Sequence, residues 1–470
     1  MTAGGGGPPL LGVPARGRAV RAVRIVFWDY RLPTADPRLA RRYNRPSFAP
    51  ALVMRKASLG TIFLTVFLDL LGFGMVIPFL PGVSRHLGAS DFVASLNGSV
   101  YSLMQFLLVP VWGRLSDRVG RRPVLLVSIG ATAAGMALLG GANSLFLLFA
   151  ARIFTGAATA NIAVAQAYIA DVTPPEGRAR GMGLIGLAFG LGFIFGPFFG
   201  GELARLPLAG RPGALPALVA AGLSLINLVM ATFTLPESLP AELRGKVKSH
   251  RASPFELSGL KQAFGHPSVG RALGINFLVV FWFAGMEQTF RLFTDDAFHM
   301  SDAATGGMFG FVGVVAAIVQ GGLIGRLTRK FGEIRLLTSG LLILTAGFAL
   351  LGVSPKVTLS PHGALALSCM LIAAGSGLAT PSVSSYVSRN AEPHVQGLML
   401  GTLQSLSALA RVLGPAAGGL LYQTLAPPAP YLAGALGMAA AAWLSLRLSS
   451  LARSRKVSVD PAAETSSSGA

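Results

Sequence analysis

The chain has 470 residues, of which 52% are hydrophobic and only 12% are charged, and its mean hydropathy is +0.61. A soluble globular protein carries about 25% charged residues, so this composition excludes a soluble enzyme, a disordered protein and a collagenous protein. It indicates a polytopic helical membrane protein. The single cysteine, Cys369, excludes a disulfide framework and a multi-thiolate metal site. The formal charge of +20 sits in the N-terminal stretch and in short loops between apolar segments, which is typical of membrane topology and not of nucleic-acid binding.

Residues 1–57 form a basic extension that differs from the rest of the chain. They hold 11 Lys and Arg against two acidic residues, Asp29 and Asp36, and contain no apolar run of roughly 18 residues. Three interpretations stay open: a disordered tail on the cytoplasmic side, an Arg-rich targeting presequence, or sequence that precedes a true start at Met54. We expect transport not to require this extension, because Met54 stands directly before the first apolar segment.

Twelve apolar segments follow, each long enough to cross about 30 Å of hydrocarbon as an α-helix. The longest polar stretch between them, 236–269, divides them into two groups of six. The sequence therefore predicts an all-α polytopic membrane protein with twelve transmembrane helices in two pseudo-symmetric halves, 58–235 and 270–448, and a cytoplasmic tail, 449–470. The predicted spans are 58–80, 92–112, 124–141, 144–167, 181–203, 214–235, 270–292, 304–325, 335–353, 363–387, 396–421 and 429–448.

The distribution of basic residues predicts the orientation of these helices. With both ends of the chain in the cytoplasm, 32 Lys and Arg lie on the inner side and five lie in the outer loops. Because cytoplasmic loops carry the excess of Lys and Arg, we expect both termini inside. The five outer residues are Arg85, Arg205, Arg211, Arg291 and Lys356.

The two predicted halves repeat one another. The segment Gly113–Arg122 follows the second span, and the similar segment Gly325–Gly332 follows the eighth span, 212 positions later. The Gly-Pro pair at 196–197 in the fifth span recurs at 414–415 in the eleventh, 218 positions later. Such a parallel repeat is the architecture in which a central cavity opens alternately to each side of the membrane.

The loop between the second and third spans combines one carboxylate with several arginines. Asp117 can accept hydrogen bonds from a guanidinium or from the free N–H groups at a helix start. A bond made in only one arrangement of the two halves would act as a latch, whereas the alternative is that the arginines only fix the topology. The latch candidates are Gly113, Asp117, Arg118, Gly120, Arg121 and Arg122.

Glycines line one face of the fifth span. Steps of four residues place Gly192, Gly196 and Gly200 on one stripe, which allows two helices to approach closely, and Pro197 is expected to bend the helix. Ordinary small-residue packing is the alternative explanation. The residues of this motif are Gly192, Gly196, Pro197, Gly200 and Gly201.

Together with Asp69 and Pro78 in the first span and Arg152 and Gly156 in the fourth, these motifs resemble the major facilitator superfamily. Within it, residues 58–448 are similar to the twelve-span drug:proton antiporters, in particular tetracycline-resistance-type exporters and tetracycline-transporter-like proteins. The resemblance implies the fold, a latch that closes the cytoplasmic side, and export as the direction of transport. The ninth predicted span lacks the acidic residue known from tetracycline exporters, which argues against tetracycline as the substrate.

Four ionisable residues lie clearly within the predicted spans, away from their ends: Asp69, Arg152, Glu287 and Arg411. A lone charge at this depth costs several kcal/mol, so these residues should face a cavity or one another. Similar depths make Asp69 with Arg152 and Glu287 with Arg411 feasible pairs, although Arg291 is an alternative partner for Glu287. The pattern predicts proton exchange through breakage of such pairs, and a static ion pair is the alternative.

Polar residues in the spans are candidates for a substrate cavity. Each of them alone is equally explained by a hydrogen bond between helices. The candidates are Tyr101, Gln105, Asn161, Gln288, Gln320 and Gln404.

These features predict a secondary active transporter of the cell membrane that exchanges protons for amphipathic organic compounds. The alternatives are a proton symporter that imports a sugar or an organic anion and, in a different class, a non-transporting receptor or assembly partner. No nucleophile–base pair, metal site or phosphate-binding loop indicates an enzyme or ATP-driven transport. We expect no cofactor, no metal and no nucleic-acid partner, only a small-molecule substrate, protons and the lipid bilayer, and a monomer with the proton gradient as its energy source.

Overall fold

The structure, a computed structural model, describes residues 48–159, 161–173, 178–206, 208, 211–239, 244, 267–390 and 396–459. The chain divides into two compact units, residues 1–52 and 53–470. Most of the predicted N-terminal extension lies outside the described residues, and the described part of the first unit, 48–52, is helical. The helices that are apolar enough to cross a membrane all belong to the second unit.

The described part of the second unit is almost entirely helical, as the sequence predicts. Eleven of its helical segments are long and apolar enough to cross a membrane. A further helix of 29 residues, Gln396–Thr424, stands at the eleventh predicted span, where Gln404 and Arg411 make it less apolar. The count of twelve spans therefore stays a prediction. The eleven segments are Leu59–His86, Asp91–Val119, Arg121–Gly140, Leu145–Val172, Gly181–Ala204, Ala214–Thr234, Ser268–Phe298, Asp302–Phe331, Glu333–Lys356, Pro361–Asn390 and Ala429–Leu448.

Several helices extend beyond the predicted spans, because apolar runs end before helices do. The second span continues as helix to Val119, so most of the motif that was predicted as a loop is helical. It ends at Gly120, whose positive φ of 111° is unfavourable for other residues. The third helix starts immediately at Arg121. The loop between the two helices is therefore a single glycine.

Buried side chains form separate cores in the two halves. One core consists of residues from 269 to 448. The first half holds two smaller clusters, one around Ile62 and Tyr168 and another around Met75 and Leu148. No cluster combines residues from both halves, so each half packs around its own interior within the described residues.

Within each half, a glycine-lined helix packs against the first helix of that half. A methyl group added at Gly196 of the fifth span would lie 2.8 Å from the backbone of Gly74 in the first span. In the second half, a methyl group at Gly414 would lie 2.2 Å from the carbonyl oxygen of Phe281 in the seventh span. Both distances are far too short for a side chain, so the backbones touch. The predicted repeat therefore appears as the same helix contact in both halves.

The two halves meet at one end of the helices, which we call the Arg85 end, opposite the Asp117 end. A methyl group at Gly306 of the eighth span would lie 2.5 Å from the carbonyl oxygen of Pro197 in the fifth. The contact continues to Gly313, where an added methyl would lie 2.6 Å from Ile194. One turn closer to the Asp117 end, a methyl at Gly190 would meet no atom within 4 Å. Methyls at Gly321 and Gly325, in the Asp117-end half of the eighth span, would likewise meet no atom within 4 Å. The fifth and eighth spans thus touch at the Arg85 end and part toward the Asp117 end.

We predict that Gly196→Ala destabilises the protein and that Gly190→Ala does not. The first methyl collides with backbone, for which overpacking costs about 1–3 kcal/mol; the second enters open space and improves helix propensity. Thermal unfolding of the detergent-purified variants measures both effects. Equal unfolding midpoints for the two variants would contradict the close contact at Gly196.

Candidate functional site

The buried carboxylate of the first half is held by a neutral side chain. Asp69 lies in the helix Phe48–Val76 and is 7% exposed. Its Oδ1 accepts a hydrogen bond of 2.8 Å from Nδ2 of Asn161. Asn161 begins the helix Asn161–Val172 in the second part of the fourth span. The first and fourth spans are thereby joined at the interior of the first half.

Arg152, in the first part of the fourth span, is 1% exposed and lies over the ring of Tyr101 from the second span. The guanidinium carbon is 4.2 Å from the ring centroid, which is a cation–π contact. Among the described residues, Nε and Nη1 of Arg152 have no hydrogen-bond partner. The hydroxyl of Tyr101 accepts a hydrogen bond of 3.0 Å from Gln105, one turn further along the same helix.

The predicted pair of Asp69 with Arg152 is not formed in this conformation. Neither residue takes part in an ion pair among the described residues. The physical reason is that each has a neutral partner from its own half: the Asn161 amide for the carboxylate and the Tyr101 ring for the guanidinium. The depth of each residue in the membrane, as inferred from the sequence, could not distinguish these partners from the predicted one.

The corresponding charges of the second half, Glu287 and Arg411, lie on the seventh and eleventh helices and attract one another electrostatically. They form no direct ion pair among the described residues. The alternative partner for Glu287, Arg291, is bound instead by Asp302 and, at 3.5 Å, by Asp295. The Glu287–Arg291 pair is therefore not formed.

The other candidate cavity residues fall into two groups. Gln288 is buried against the second span, because a methyl at Gly98 would lie 2.7 Å from its Cδ, and its Oε1 has no partner among the described residues. Gln320 and Gln404 are exposed. Gln320 lies in a π-helical turn, Ile318–Leu323, within the eighth span.

At the Asp117 end, the glycine between the second and third helices is fixed by a carboxylate that lies outside every predicted motif. Glu237, just after the sixth span, accepts hydrogen bonds from the backbone N–H groups of Arg121 (2.8 Å) and Arg122 (3.3 Å). These are free donors of the first helical turn. A methyl at Gly120 would lie 2.3 Å from Glu237 Oε2, so only glycine fits both the backbone angle and the space.

The predicted latch residue Asp117 pairs within its own half. Its Oδ1 lies 2.6 Å from Nη1 of Arg121, and the same nitrogen donates to Ser116 Oγ at 2.6 Å. Nε of Arg121 donates to Oδ2 of Asp171 at 3.2 Å. Arg118 is exposed. A cleft of about 250 Å³ lies beside this cluster and is lined by Gly113, Asp117 and Arg121 among others. Contact of Asp117 with the second half, which the latch requires, stays a prediction.

The motif of the fifth span is divided between two partners. Gly192, Gly196 and Gly200 face the first span, and a methyl at Gly200 would lie 2.1 Å from the carbonyl oxygen of Met75. Gly201 faces the second half instead, because a methyl added at Gly201 would lie 3.1 Å from Cα of Gly306. The helix Arg178–Ala204 continues through Pro197.

No group of three or more His, Cys, Asp and Glu among the described residues could hold a metal ion. The site consists of buried charges, a carboxylate–arginine cluster at the Asp117 end, and contacts between the halves at the Arg85 end.

Known proteins are similar to this chain in sequence. The chain matches the family model of the Major Facilitator Superfamily over residues 62–415 and again over 323–468. It is 34% identical over 354 residues to the class C tetracycline resistance protein of Escherichia coli, covering 75% of this chain and 86% of that protein. It is 31% identical over 406 residues to the human Major facilitator superfamily domain-containing protein 10, covering 77% of this chain and 86% of that protein.

Solved structures of transporters are similar to this chain in fold. The crystal structure of the human organic anion transporter MFSD10 (TETRAN) is similar with a TM-score of 0.63 at 28% identity, covering 83% of this chain and 99% of that chain. The nucleoside transporter NupG reaches a TM-score of 0.68 at 14% identity, which shows a shared fold.

We predict that Tyr101→Leu destabilises the protein and that Tyr101→Phe has a smaller effect. Phenylalanine keeps the ring under the Arg152 guanidinium, whereas leucine leaves a buried cation without it, at a cost of about 2 kcal/mol for a desolvated cation–π pair. Thermal unfolding in detergent measures the difference. If both variants lose the same stability, the hydroxyl contact with Gln105 carries the effect, and not the ring.

Proposed function

Since the chain belongs to the major facilitator superfamily of multi-pass membrane transporters, we propose that it exports amphipathic organic compounds in exchange for protons. The family establishes transport and the membrane location. The coupling ion, the direction and the substrate are the parts that the proposal adds.

The observation that carries the proposal is the buried contact between Asp69 and Asn161. A carboxyl group bound to a neutral amide can take up or release a proton without leaving a cation unpaired. Asp69 is buried, so its carboxyl group exchanges a proton with solvent only when the surrounding helices give it access. These are the properties required of a proton carrier in alternating access.

Arg152 supplies a means to release that proton. It lies in the same half as Asp69, and its Nε and Nη1 have no partner among the described residues. In the proposed cycle, Arg152 leaves the ring of Tyr101 and pairs with Asp69, which favours the ionised carboxylate. Return of Arg152 to the ring removes the cation from the buried carboxylate, which favours proton uptake. The predicted ion pair is thus one state of a two-state element.

The contacts between the halves support alternating access. They lie at the Arg85 end, while the fifth and eighth spans part toward the Asp117 end. With the orientation that the basic residues predict, this is an inward-open conformation. The predicted latch at Asp117 would then form in the opposite state, which agrees with its pairing inside one half here.

A second candidate is import of an organic anion with protons. The human relative of known structure is named an organic anion transporter. In this chain, Arg152 and Arg411 form no ion pair with a carboxylate among the described residues, so two cations are available to an anionic substrate. The glycine motif of the fifth span, which resembles that of exporters, favours export over this alternative.

Transport by proteoliposomes containing the full chain would decide between these functions. The probes are ethidium as a cation, tetracycline as a zwitterion and fluorescein as an anion, each with and without an uncoupler. Proton-coupled export predicts that the probe moves toward the acidic side of the membrane, opposite to the proton flux. The uncoupler should abolish this movement. Movement of the anion together with protons would establish the symporter instead.

Asp69→Asn is expected to reduce transport driven by a pH gradient at least about tenfold while probe binding persists. Asparagine keeps the size and the hydrogen bond to Asn161 but cannot carry a proton, which removes the coupling step. The matched control is Glu202→Gln, which changes an exposed carboxylate at a helix end.

Exchange of labelled for unlabelled probe, without a pH gradient, separates coupling from binding. Asp69→Asn should retain this exchange. Full gradient-driven transport by Asp69→Asn would reassign the proton to Glu287 and leave the contact in the first half purely structural.

A further inference from the structure

A charged contact joins the two halves at the Arg85 end. Arg85 ends the first span, and Asp296 lies near the end of the seventh. Nη1 of Arg85 donates to Oδ1 of Asp296 at 2.7 Å, and Nη2 donates to Oδ2 at 2.8 Å. This is the two-point geometry in which a guanidinium binds a carboxylate most strongly.

Each member of this pair has a second partner in its own half. Nε of Arg85 donates to Oδ1 of Asp91 at 2.7 Å, at the start of the second span. The hydroxyl of Tyr422, near the end of the eleventh helix, donates to Oδ2 of Asp296 at 2.6 Å. If the halves separate, Arg85 keeps Asp91 and Asp296 keeps Tyr422. Opening therefore leaves neither charge unpaired, which limits its cost.

Direct packing surrounds the ion pair. The backbone N–H of Phe92 donates to Oε1 of Gln423 at 3.0 Å, which joins the second span to the eleventh helix. A methyl at Gly419 would lie 1.7 Å from Oγ of Ser95, so the helices touch there as well. The first, second, seventh and eleventh helices thus meet at one place.

We propose that Arg85 and Asp296 form the lock of an outer gate, which holds the Arg85 end closed and releases when the protein opens to that side. The lock exists only while the halves touch at this end, so it stabilises the present conformation over the opposite one. Its side chains are 26% and 34% exposed, so its strength is modest and its release is reversible. The proposal rests on alternating access, but on no particular substrate or coupling ion.

The test measures the distance between the halves at the Arg85 end. In the full chain with Cys369→Ala, spin labels are placed through Leu206→Cys in the first half and Leu425→Cys in the second, both exposed. Pulsed electron–electron double resonance in lipid nanodiscs, without substrate or pH gradient, measures the populations of short and long distances.

Asp296→Asn and Arg85→Gln are each expected to raise the population at long distance about two- to fivefold, as expected for a partly exposed ion pair. The double variant should rise no further than the larger single effect, because both changes remove the same interaction. Glu202→Gln, which breaks the ion pair with Arg205 at the end of the fifth span, should leave the distances unchanged.

Unchanged distances in both single variants, or effects that add in the double variant, would overturn the lock. Asp296→Asn keeps the size of the side chain and an acceptor for Tyr422, so it carries the test if Arg85→Gln does not fold. Because no transport is measured, failure of the proton-coupled function leaves this result unaffected, and failure of the lock leaves proton coupling open.

Discussion

Backbone contact at glycine determines how the helices of this protein pack, because lipid tails are as apolar as leucine and provide no hydrophobic force between helices. Such contacts join the first span to the fifth at Gly196 and the seventh to the eleventh at Gly414. A third joins the two halves at Gly306. The first two contacts each lie within one half, while the third lies between the halves, where the proposed alternating access requires separation. Glycine thus allows close contact both within each half and between the two halves.

The internal repeat preserves geometry while it reverses charge. In the first half, Arg121 starts the third helix and pairs with Asp171 at the end of the fourth span. In the second half, Glu333 starts the ninth helix and pairs with Arg389 at the end of the tenth, at 3.2 Å. The positions differ by the same offsets, 212 and 218, that relate the sequence motifs. The glycines before both helices, Gly120 and Gly332, have positive φ angles of 111° and 80°.

The reversal of charge gives a reason for the added carboxylate, Glu237, at the turn of the first half. An acidic residue at a helix start interacts favourably with the helix dipole, as Glu333 does, whereas an arginine there does not. Glu237 from the end of the sixth span therefore binds the free N–H groups of the third helix.

The sequence was sufficient for features that depend on local pattern. Hydropathy located the helices, and the offsets revealed the repeat, because both are periodic along the chain. Four-residue spacing identified the stripe at Gly192, Gly196 and Gly200, although it could not show that Gly201 faces a different half. Partners of buried charges could not be predicted, since depth in the membrane does not give rotation about the helix axis. Hence Asn161 and not Arg152 binds Asp69. The pair of Arg85 and Asp296, 211 residues apart, has no sequence pattern at all.

One rule relates these charged contacts to the proposed separation of the two halves. In a low-dielectric interior, a charge that loses its only partner costs several kcal/mol. Asp117 has Arg121, and Asp69 has Asn161, in each case within the first half. Arg85 likewise keeps Asp91 when its contact with Asp296 breaks. A movement that separates the halves therefore exchanges contacts between them without stranding a charge, so the free-energy difference between the two conformations can stay small. A small difference is what allows a ligand that binds one conformation more tightly to shift the equilibrium.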